Sequence, residues 1–285
     1  MSYIVFNGEL TKRDTISIDI EDRGYQFGDG IYEVVRVYNG RLFTWEEHVE
    51  RLYASAEKIR MTVPYAKEEM KAVMEKLIEK NQLTDGTIYL QLTRGIAPRN
   101  HAFPGSDVQA VLVAYTRVSD RPVALMEKGA DALVVEDKRW LHCDIKSLNL
   151  LGNVLAHQEA LDAGCYEAIL HRDGVVTEGS HTNISIVMNG TVYTHPANNL
   201  ILNGISRKVM LKACDSTATS YKEEAFTVEQ LLKADEAFIT STTLEITPIR
   251  RINNQPIGIE GEYKVIRKLQ EAFTAYIEAE CGPLH

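Results

Sequence analysis

The spacing of apolar residues along the first half of the chain alternates between a strand-like period of two and a helix-like period. Asn7-Gly8 and Asn39-Gly40 each follow a β-rich run, and Asn-Gly is the pair typical of two-residue hairpin turns. We therefore expect the chain to open with antiparallel strands, followed by two amphipathic helices and another pair of strands. The predicted strands are 4–6, 32–38, 87–94 and 110–115, and the predicted helices are 45–59 and 70–78.

The sequence turns polar at Ser119-Asp-Arg-Pro122, which we interpret as a linker. The predicted organisation is an N-terminal α+β domain over 1–118, a linker over 119–122 and a C-terminal domain over 123–285. Asp173-Gly174 and Asn189-Gly190 predict two further hairpins in the second half. The strands predicted there are 132–135, 167–171, 184–188, 192–194 and 236–240, and the helices are 148–163, 207–214, 228–232 and 263–279.

Composition narrows the classes of function. The 285 residues include 40 acidic and 31 basic side chains, a formal charge of -9, which argues against nucleic acid or an anionic membrane as a partner. The four cysteines are scattered without a CxxC pair, so we expect reduced thiols and no metal. Because no apolar run is long enough to cross a bilayer and no signal peptide is evident, a cytoplasmic protein is expected.

Two residues suggest the chemistry. Lys146 lies in Asp144-Ile-Lys146-Ser-Leu-Asn149, and Glu178 lies in Val176-Thr-Glu178-Gly-Ser-His. A lysine amine can bond to an aldehyde cofactor, and a carboxylate facing a pyridine nitrogen keeps that ring protonated. Alone, each is more typical of a solvated lysine or a turn glutamate. Together they predict a site for pyridoxal 5'-phosphate, in which both residues are catalytic.

A longer composite pattern carries a family resemblance. The segments Glu178-Gly-Ser-His-Thr-Asn183-Ile, Val192-Tyr-Thr194 and Leu202-Asn-Gly204-Ile205-Ser-Arg207 follow one another in order. They resemble the signature of the class IV, fold-type IV pyridoxal-phosphate aminotransferases, and the similarity spans nearly the whole chain. The resemblance implies an α+β fold with an N-terminal α/β sandwich and a β-barrel-like C-terminal domain with helices, which binds the cofactor.

The same resemblance assigns the cofactor phosphate to the residues Ile205 and Ser206 at a helix start, where backbone N–H groups attract anions. It adds Arg51 on the first long helix and the hydroxyls of Ser241 and Thr242 after a strand. Without the other motifs, Arg51 would be interpreted as a solvated helix residue, and Ser241-Thr242 as a strand-end turn.

Substrate choice is expected to depend on the loop Thr93-Arg-Gly-Ile-Ala-Pro-Arg99-Asn-His101. It resembles the carboxylate-binding loop of D-amino acid aminotransferases. The resemblance implies that Arg99 and His101, with Tyr32, hold the substrate α-carboxylate across the interface of a homodimer. An exposed polar loop is the alternative.

The resemblance implies transfer of the amino group from a D-amino acid such as D-alanine to a 2-oxo acid such as 2-oxoglutarate, giving pyruvate and D-glutamate. Lys146 would move the substrate α-proton. Two related activities are alternatives: a branched-chain L-amino acid aminotransferase and an aminodeoxychorismate lyase. His181, Ser185 and Leu244 depart from the residues usual in the family, and the sequence leaves their effects and the preferred side chain open.

Overall fold

Two β-sheets, each in its own unit of the chain, organise the molecule. The structure is a computed structural model that describes residues 2–259 and 261–284. Unit 1 comprises the described residues up to Asp120, Ile145–Asn149 and the residues from Glu280 onwards, and unit 2 comprises Arg121–Asp144 and Leu150–Ala279. Each unit combines its sheet with helices, so the predicted α+β class is confirmed. The domain limits 1–118, 119–122 and 123–285 stay a prediction.

Unit 1 contains a six-stranded sheet with the order β2-β1-β6-β5-β3-β4, and all of its neighbours are antiparallel. The turn between β1 and β2 has positive φ at Asn7 (49°) and Gly8 (84°), the conformation for which Asn-Gly is suited. The elements are β1 Tyr3–Phe6, β2 Glu9–Lys12, α1 Arg23–Phe27, β3 Gly30–Tyr38, β4 Arg41–Leu42, α2 Trp45–Lys58, α3 Lys67–Asn81, β5 Gly86–Thr93 and β6 Val111–Val118, with a 3-10 turn at Arg13–Thr15.

The core of unit 1 lies where α2 and α3 pack on one face of this sheet. The apolar residues of α3 are spaced by three and four, so they share one face of the helix and are buried together. The strands contribute alternating positions, which point to the same side of a sheet. The buried residues include Val49, Leu52 and Ala56 of α2, Met70, Met74 and Leu77 of α3, and Val35, Val37, Ile88 and Leu90 of the strands.

Unit 2 contains a nine-stranded mixed sheet with the order β12-β11-β10-β13-β14-β7-β8-β9, to which β15 adds by pairing with β14. The N–H of Gly179 donates to the carbonyl of Thr182 (2.8 Å), so the end of β9 turns back to the start of β10 and the sheet curls as a half barrel. The elements are α4 Val123–Lys128, β7 Ala130–Glu136, α5 Leu151–Asp162, β8 Glu167–Arg172, β9 Val175–Gly179, β10 Asn183–Met188, β11 Thr191–Thr194, α6 Ile205–Ser216, β12 Tyr221–Glu223, α7 Val228–Leu232, β13 Glu236–Ser241, β14 Glu245–Ile252, β15 Gln255–Pro256 and α8 Lys264–Cys281.

The helix predicted over 148–163 begins only at Leu151. In residues 145–149, Ser147 instead pairs with Ile31 of β3, and the side chain of Asn149 donates to the carbonyl of Gly28, which follows α1 (3.0 Å). The strand β14 was not predicted, because Pro248 interrupts its apolar run. Over the described ranges, none of the helices combines the length and the apolar character that a bilayer span requires.

Candidate functional site

The backbone of Lys146 is fixed in unit 1 by hydrogen bonds on both sides. Its carbonyl accepts from the N–H of Tyr32 (3.0 Å), and its own N–H donates to Oγ of Ser55 (3.2 Å). The ammonium Nζ lies 4.2 Å from the centroid of the Tyr32 ring, a cation–π distance, and the side chain is partly exposed. The structure therefore brings together two of the predicted site residues, the lysine and Tyr32.

Arg51 belongs to a buried charge cluster that sequence analysis did not anticipate. Nε and Nη2 of Arg51 donate to the two carboxylate oxygens of Glu33 (2.7 and 2.8 Å), and Nδ1 of His48 lies 2.7 Å from Glu33 Oε2. Burial opposes ionisation of Glu33, but the charges of Arg51 and His48 hold its pKa well below the ordinary value. Burial lowers the pKa of His48. Glu33 thus orients the guanidinium that is predicted to bind phosphate.

Arg99 and His101 meet on one aromatic ring. The guanidinium of Arg99 lies 4.3 Å from the centroid of Phe27, and the His101 ring centroid is 5.4 Å from the same ring. Nη1 of Arg99 also donates to the carbonyl of Gln26 (3.4 Å). The two side chains predicted to bind a carboxylate are therefore adjacent, and α1, which was not predicted, supplies the platform beneath them.

A second set of charges anchors the same loop. Asp29 accepts from Nε of Arg23 (2.8 Å) and from Nε of Arg94 (2.8 Å), and Nη1 of Arg23 donates to the carbonyl of Asn100 (2.7 Å). Burial opposes the ionisation of Asp29, but the two arginines lower its pKa. The guanidinium of Arg94 also lies 3.9 Å from the centroid of Phe103. These contacts fix both ends of the segment that carries Arg99 and His101.

In unit 2, the carboxylate of Glu178 is buried and held by three donors. Oε1 accepts from Nη1 of Arg139 (2.6 Å), and Oε2 accepts from the amide of Asn183 (3.1 Å) and from the N–H of Leu202 (2.9 Å). Burial raises the pKa of Glu178 to about 7, although Arg139 and the Leu202 N–H oppose that rise. A carboxylate poised near neutrality in a buried position is typical of functional sites.

Arg139, which no sequence motif marks, connects Glu178 to a second acid. Its Nε and Nη2 donate to the two oxygens of Asp137 (both 2.9 Å), which also accepts from Nε of Arg172 (3.2 Å) and from the hydroxyl of Thr177 (3.0 Å). Burial opposes the ionisation of Asp137, but Arg139 lowers its pKa. Nothing in the local pattern separates buried Arg139 from the exposed Lys138 beside it.

The start of α6 lies against Asn183. Gly204 is the N-cap residue that precedes the helix, and as a glycine it contributes no side-chain cap to the N–H groups that follow it. A Cβ at Gly204 would lie 2.1 Å from Oδ1 of Asn183, so only glycine permits this close approach. The predicted phosphate ligands Ile205 and Ser206 therefore begin a helix next to the residue that holds Glu178.

Arg207 explains why the sequence motif includes both Thr194 and Arg207 at a fixed spacing. This buried side chain donates from Nε to the hydroxyl of Thr194 (3.2 Å), from Nη2 to the carbonyl of His195 (2.9 Å) and from Nη2 to Glu223 (2.6 Å). It ties α6 to the end of β11 and to β12. The motif residues Thr194 and Arg207 are thus partners across 12 intervening positions.

Ser241 and Thr242 lie at the same end of the sheet as the start of β10. Thr240 is paired with Asn183 across β13 and β10, and Ser241-Thr242 follow Thr240 directly. Oγ of Ser241 is 3.5 Å from Oγ1 of Thr243. Asn183 contacts Glu178, lies against the start of α6 and pairs with Thr240. Glu178, the start of α6 and the two hydroxyl residues therefore lie at one end of the unit 2 sheet.

The three unusual residues have different environments. Ser185 is buried in β10, and its Oγ has no hydrogen-bond partner among the described residues. Leu244 is buried in the core of unit 2. His181 is 44% exposed, and its Nδ1 lies 3.1 Å from Oε2 of Glu167. Burial therefore gives Leu244 a packing role, whereas His181 faces a carboxylate.

Comparison with known proteins agrees with this geometry. Residues 30–252 match the family described as amino-transferase class IV. A D-alanine aminotransferase of Staphylococcus aureus (strain N315) is 48% identical over 279 residues, which cover 98% of this chain and 99% of that relative. A D-alanine aminotransferase of Listeria monocytogenes serotype 4b (strain F2365) is 47% identical over 283 residues, which cover 99% of this chain and 98% of that relative.

The fold is that of known aminotransferase structures. A branched-chain amino acid aminotransferase of Escherichia coli superposes with a TM-score of 0.91 at 26% identity, covering 96% of this chain and 94% of that structure. A T.th. branched-chain amino acid aminotransferase complexed with N-(5'-phosphopyridoxyl)-L-glutamate superposes with a TM-score of 0.90 at 26% identity, covering 99% and 94%. On the family match and the identity to full-length relatives, the chain belongs to the class IV aminotransferases.

Proposed function

We propose that this protein is a D-alanine aminotransferase that uses pyridoxal 5'-phosphate. The amino group of D-alanine would pass to 2-oxoglutarate in two half-reactions, giving pyruvate and D-glutamate. The observation that carries the chemistry is the buried Glu178, held by three donors and with a pKa near 7. The substrate assignment is supported by the D-alanine aminotransferases that are 47–48% identical over nearly the full chain.

The residues present fit pyridoxal phosphate. When bound, this cofactor supplies an electron sink for the pair released at the substrate Cα. Lys146 offers a partly exposed amine to its aldehyde, and Glu178 offers a buried carboxylate to its pyridine nitrogen. The side chains and N–H groups proposed for its phosphate are those of Arg51, Ile205, Ser206, Ser241 and Thr242.

Lys146 is proposed to move the proton. Its Nζ, as a free amine, would remove the proton from the substrate Cα as a general base and then deliver it, as a general acid, to the carbon that carried the aldehyde of the cofactor. The backbone hydrogen bonds to Tyr32 and Ser55 hold the start of the side chain in place during this transfer. A positioned base is expected to contribute about a hundred-fold to ten thousand-fold in rate.

Glu178 is proposed to stabilise a protonated pyridine nitrogen. A carboxylate is effective there only when it is ionised, and burial alone would favour its neutral form. The charge of Arg139 opposes that effect, so Arg139 is a positioning residue that increases the ionised fraction of Glu178 near neutral pH. Asn183 and the Leu202 N–H fix the direction of the second oxygen.

Arg99, His101 and Tyr32 are proposed to bind the substrate α-carboxylate. A guanidinium, an imidazole and a phenol can each donate to a carboxylate, and the contacts to Phe27 hold the first two side by side. With the carboxylate and the nitrogen of the substrate both fixed, only one enantiomer presents its α-hydrogen to Lys146. This is the proposed origin of the preference for D-amino acids.

We also propose that the active form is a homodimer. Leu151, Val154 and Leu155 share one face of α5 and are 72%, 58% and 63% exposed. The spacing of three and four residues makes a continuous apolar stripe, which is a feature of interaction surfaces. A second copy of this chain is the proposed partner.

Half-reaction spectroscopy tests the function. The cofactor-loaded protein is mixed with D-alanine or L-leucine, and the long-wavelength absorbance of the bound cofactor is followed. We expect D-alanine alone to bleach it and 2-oxoglutarate to restore it, and we expect Lys146→Ala to show neither change. Bleaching by L-leucine alone would replace the proposal with a branched-chain activity, which the solved structures of similar fold possess.

A pyruvate assay separates the remaining alternative. An aminodeoxychorismate lyase releases pyruvate from aminodeoxychorismate without an amino acceptor, whereas the proposed transaminase forms more than one pyruvate per active site from D-alanine only when 2-oxoglutarate is present. Multiple turnovers of pyruvate from aminodeoxychorismate in the absence of an acceptor would therefore contradict the proposal.

A further inference from the structure

Three potential metal ligands meet in unit 2 apart from the residues assigned above. They are His157 on α5, Glu167 at the start of β8 and His181 in the connection between β9 and β10, and one donor atom of each lies within 4.8 Å of the others. Nδ1 of His181 is 3.1 Å from Oε2 of Glu167, and Nδ1 of His157 is 3.9 Å from Oε1. Three separate segments of the chain thus converge on one carboxylate.

Glu167 is a fixed ligand. It is fully buried, and its Oε1 accepts from the N–H groups of Ala168 (2.8 Å) and Ser180 (3.1 Å) and from the Ser180 hydroxyl. Its Oε2 accepts from the hydroxyl of Thr182 (2.9 Å). Hydrogen bonds of this kind hold a carboxylate ligand in one orientation, as the outer-shell partners of metal ligands do.

The two histidines lie at the surface above that carboxylate. Their side chains are 35% and 44% exposed, and their ring centroids are 4.9 Å apart with an interplanar angle of 84°. Ligand atoms around tetrahedral zinc are about 3.3 Å apart, given metal–ligand bonds of about 2.0–2.1 Å. The distances from the Glu167 oxygens to Nδ1 of His181 and of His157, 3.1 and 3.9 Å, are close to that spacing.

We propose that His157, Glu167 and His181 form a binding site for a divalent transition metal ion, with zinc as the ion that this donor set suits best. Two imidazole nitrogens and one carboxylate oxygen are a donor set that zinc, nickel and copper accept, whereas magnesium and calcium prefer oxygen alone. The site gives a role to His181, which the sequence left open, and it departs from the expectation that the protein binds no metal.

A bound ion would join α5 to the connection between β9 and β10. This connection, residues 180–182, lies between Glu178 and Asn183, whose amide donates to the Glu178 carboxylate (3.1 Å). The side chain of Asn153 on α5 already donates to the Ser180 carbonyl (2.7 Å). An ion that binds the folded chain more tightly than the unfolded chain stabilises the fold, so zinc should raise the unfolding temperature as its concentration increases.

Isothermal titration of the cofactor-loaded protein with zinc chloride tests the site, in a buffer without amino acids or chelators. We expect one zinc ion per chain. His157→Gln and His181→Ser should each weaken the affinity at least about ten-fold, a loss seen even when a group that only orients a ligand is removed. His142→Gln is the matched control, because this exposed histidine packs against Trp140 instead, and it should bind zinc like the unmodified protein.

Circular dichroism and the absorbance of the bound cofactor establish that each variant is folded, and both altered histidines are partly exposed, so folding is expected to persist. Zinc should raise the unfolding temperature of the unmodified protein and of His142→Gln, and should do so far less in the two site variants. Unchanged zinc affinity in either site variant, or no binding to the unmodified protein, would overturn the proposal. Neither result would bear on transamination.

Discussion

Arg139 and Glu178 are joined by a hydrogen bond of 2.6 Å in a buried part of unit 2, and this contact opposes the effect of burial on the acid. Burial favours the neutral carboxyl, and the guanidinium favours the carboxylate. The balance leaves the pKa of Glu178 at about 7. Small changes around this pair should therefore alter its ionisation at physiological pH.

Replacing Arg139 with Met should raise the pKa of Glu178 further, since burial then acts without the opposing charge. If Glu178 acts as a carboxylate, kcat for D-alanine near pH 7 should fall by about ten-fold or more, because each unit of pKa is a factor of ten in the ionised fraction. The pH profile of kcat should shift to more alkaline values. Steady-state kinetics from about pH 6 to pH 9 measure both effects.

Arg172→Met is the control for that variant. Arg172 contacts the same Asp137 at 3.2 Å, but its described hydrogen bonds do not include Glu178. It should therefore leave the pH profile nearly in place. An unshifted profile in Arg139→Met would show that the guanidinium does not control the ionisation of Glu178.

The raised pKa of Glu178 also has a consequence for stability in the cofactor-free protein. The folded state holds this proton more tightly than the unfolded chain, so the free energy of unfolding should fall as pH rises from about 4.5 to about 7. Glu178→Gln lacks this titration. Between these pH values, the stability of the variant relative to the unmodified protein should increase by about 3 kcal/mol.

Urea unfolding of both proteins across this pH range measures that difference. The lowered pKa values of Asp29, Glu33 and Asp137 act in the opposite sense, since their stabilisation is present above about pH 4.5 and is lost as pH falls. They are common to both proteins and cancel in the comparison. A difference that does not change with pH would mean that Glu178 titrates normally.

Phe27 should matter for substrate binding, because Arg99 and His101 both pack on its ring. Phe27→Ala should raise KM for D-alanine by about three-fold to thirty-fold, the range of cation–π energies from exposed to desolvated sites, with a smaller change in kcat. Phe103→Ala is the control on the same loop, since its ring lies beneath Arg94 and Arg60. Equal effects on KM would indicate general disorder of the loop.

Sequence alone predicted the features that depend on neighbours close in the chain. The four hairpin turns have Asn-Gly or Asp-Gly at positions that need positive φ, and such a requirement is local. The run from Glu178 to Arg207 was recognised for a different reason, its resemblance to a family signature, because its contacts join residues 5 to 19 positions apart. Its members contact one another directly, as when Asn183 reaches both Glu178 and Leu202 and Arg207 reaches Thr194.

The residues that sequence analysis missed act through distant partners. Glu33 and Arg51 are 18 positions apart, and Arg139 and Glu178 are 39 apart. A buried arginine and an exposed one look alike in a sequence, because only the fold determines which carboxylate each one meets. The helix start at Leu151 was misjudged for the same reason, since the pairing of Ser147 with Ile31 lies beyond any local pattern.

The exposed stripe on α5 predicts how the proposed homodimer is held. Leu155→Glu places a charge on a side chain that is 63% exposed in the single chain, so the fold should tolerate it. Burying that charge in an interface without a partner would be costly, by several kcal/mol. Light scattering on a sizing column should therefore show mostly monomer for Leu155→Glu and dimer for the unmodified protein at micromolar concentration.

Ile259→Glu tests whether any new surface charge would have this effect. Its side chain is 65% exposed, similar to that of Leu155, but Ile259 lies outside α5, in the segment between β15 and α8. The Ile259→Glu variant should therefore remain a dimer. If Leu155→Glu also stays dimeric, the contact between copies lies elsewhere. If Leu155→Glu is a monomer that keeps its cofactor absorbance but loses activity with D-alanine, the result supports a substrate carboxylate site that needs residues from both chains of the dimer.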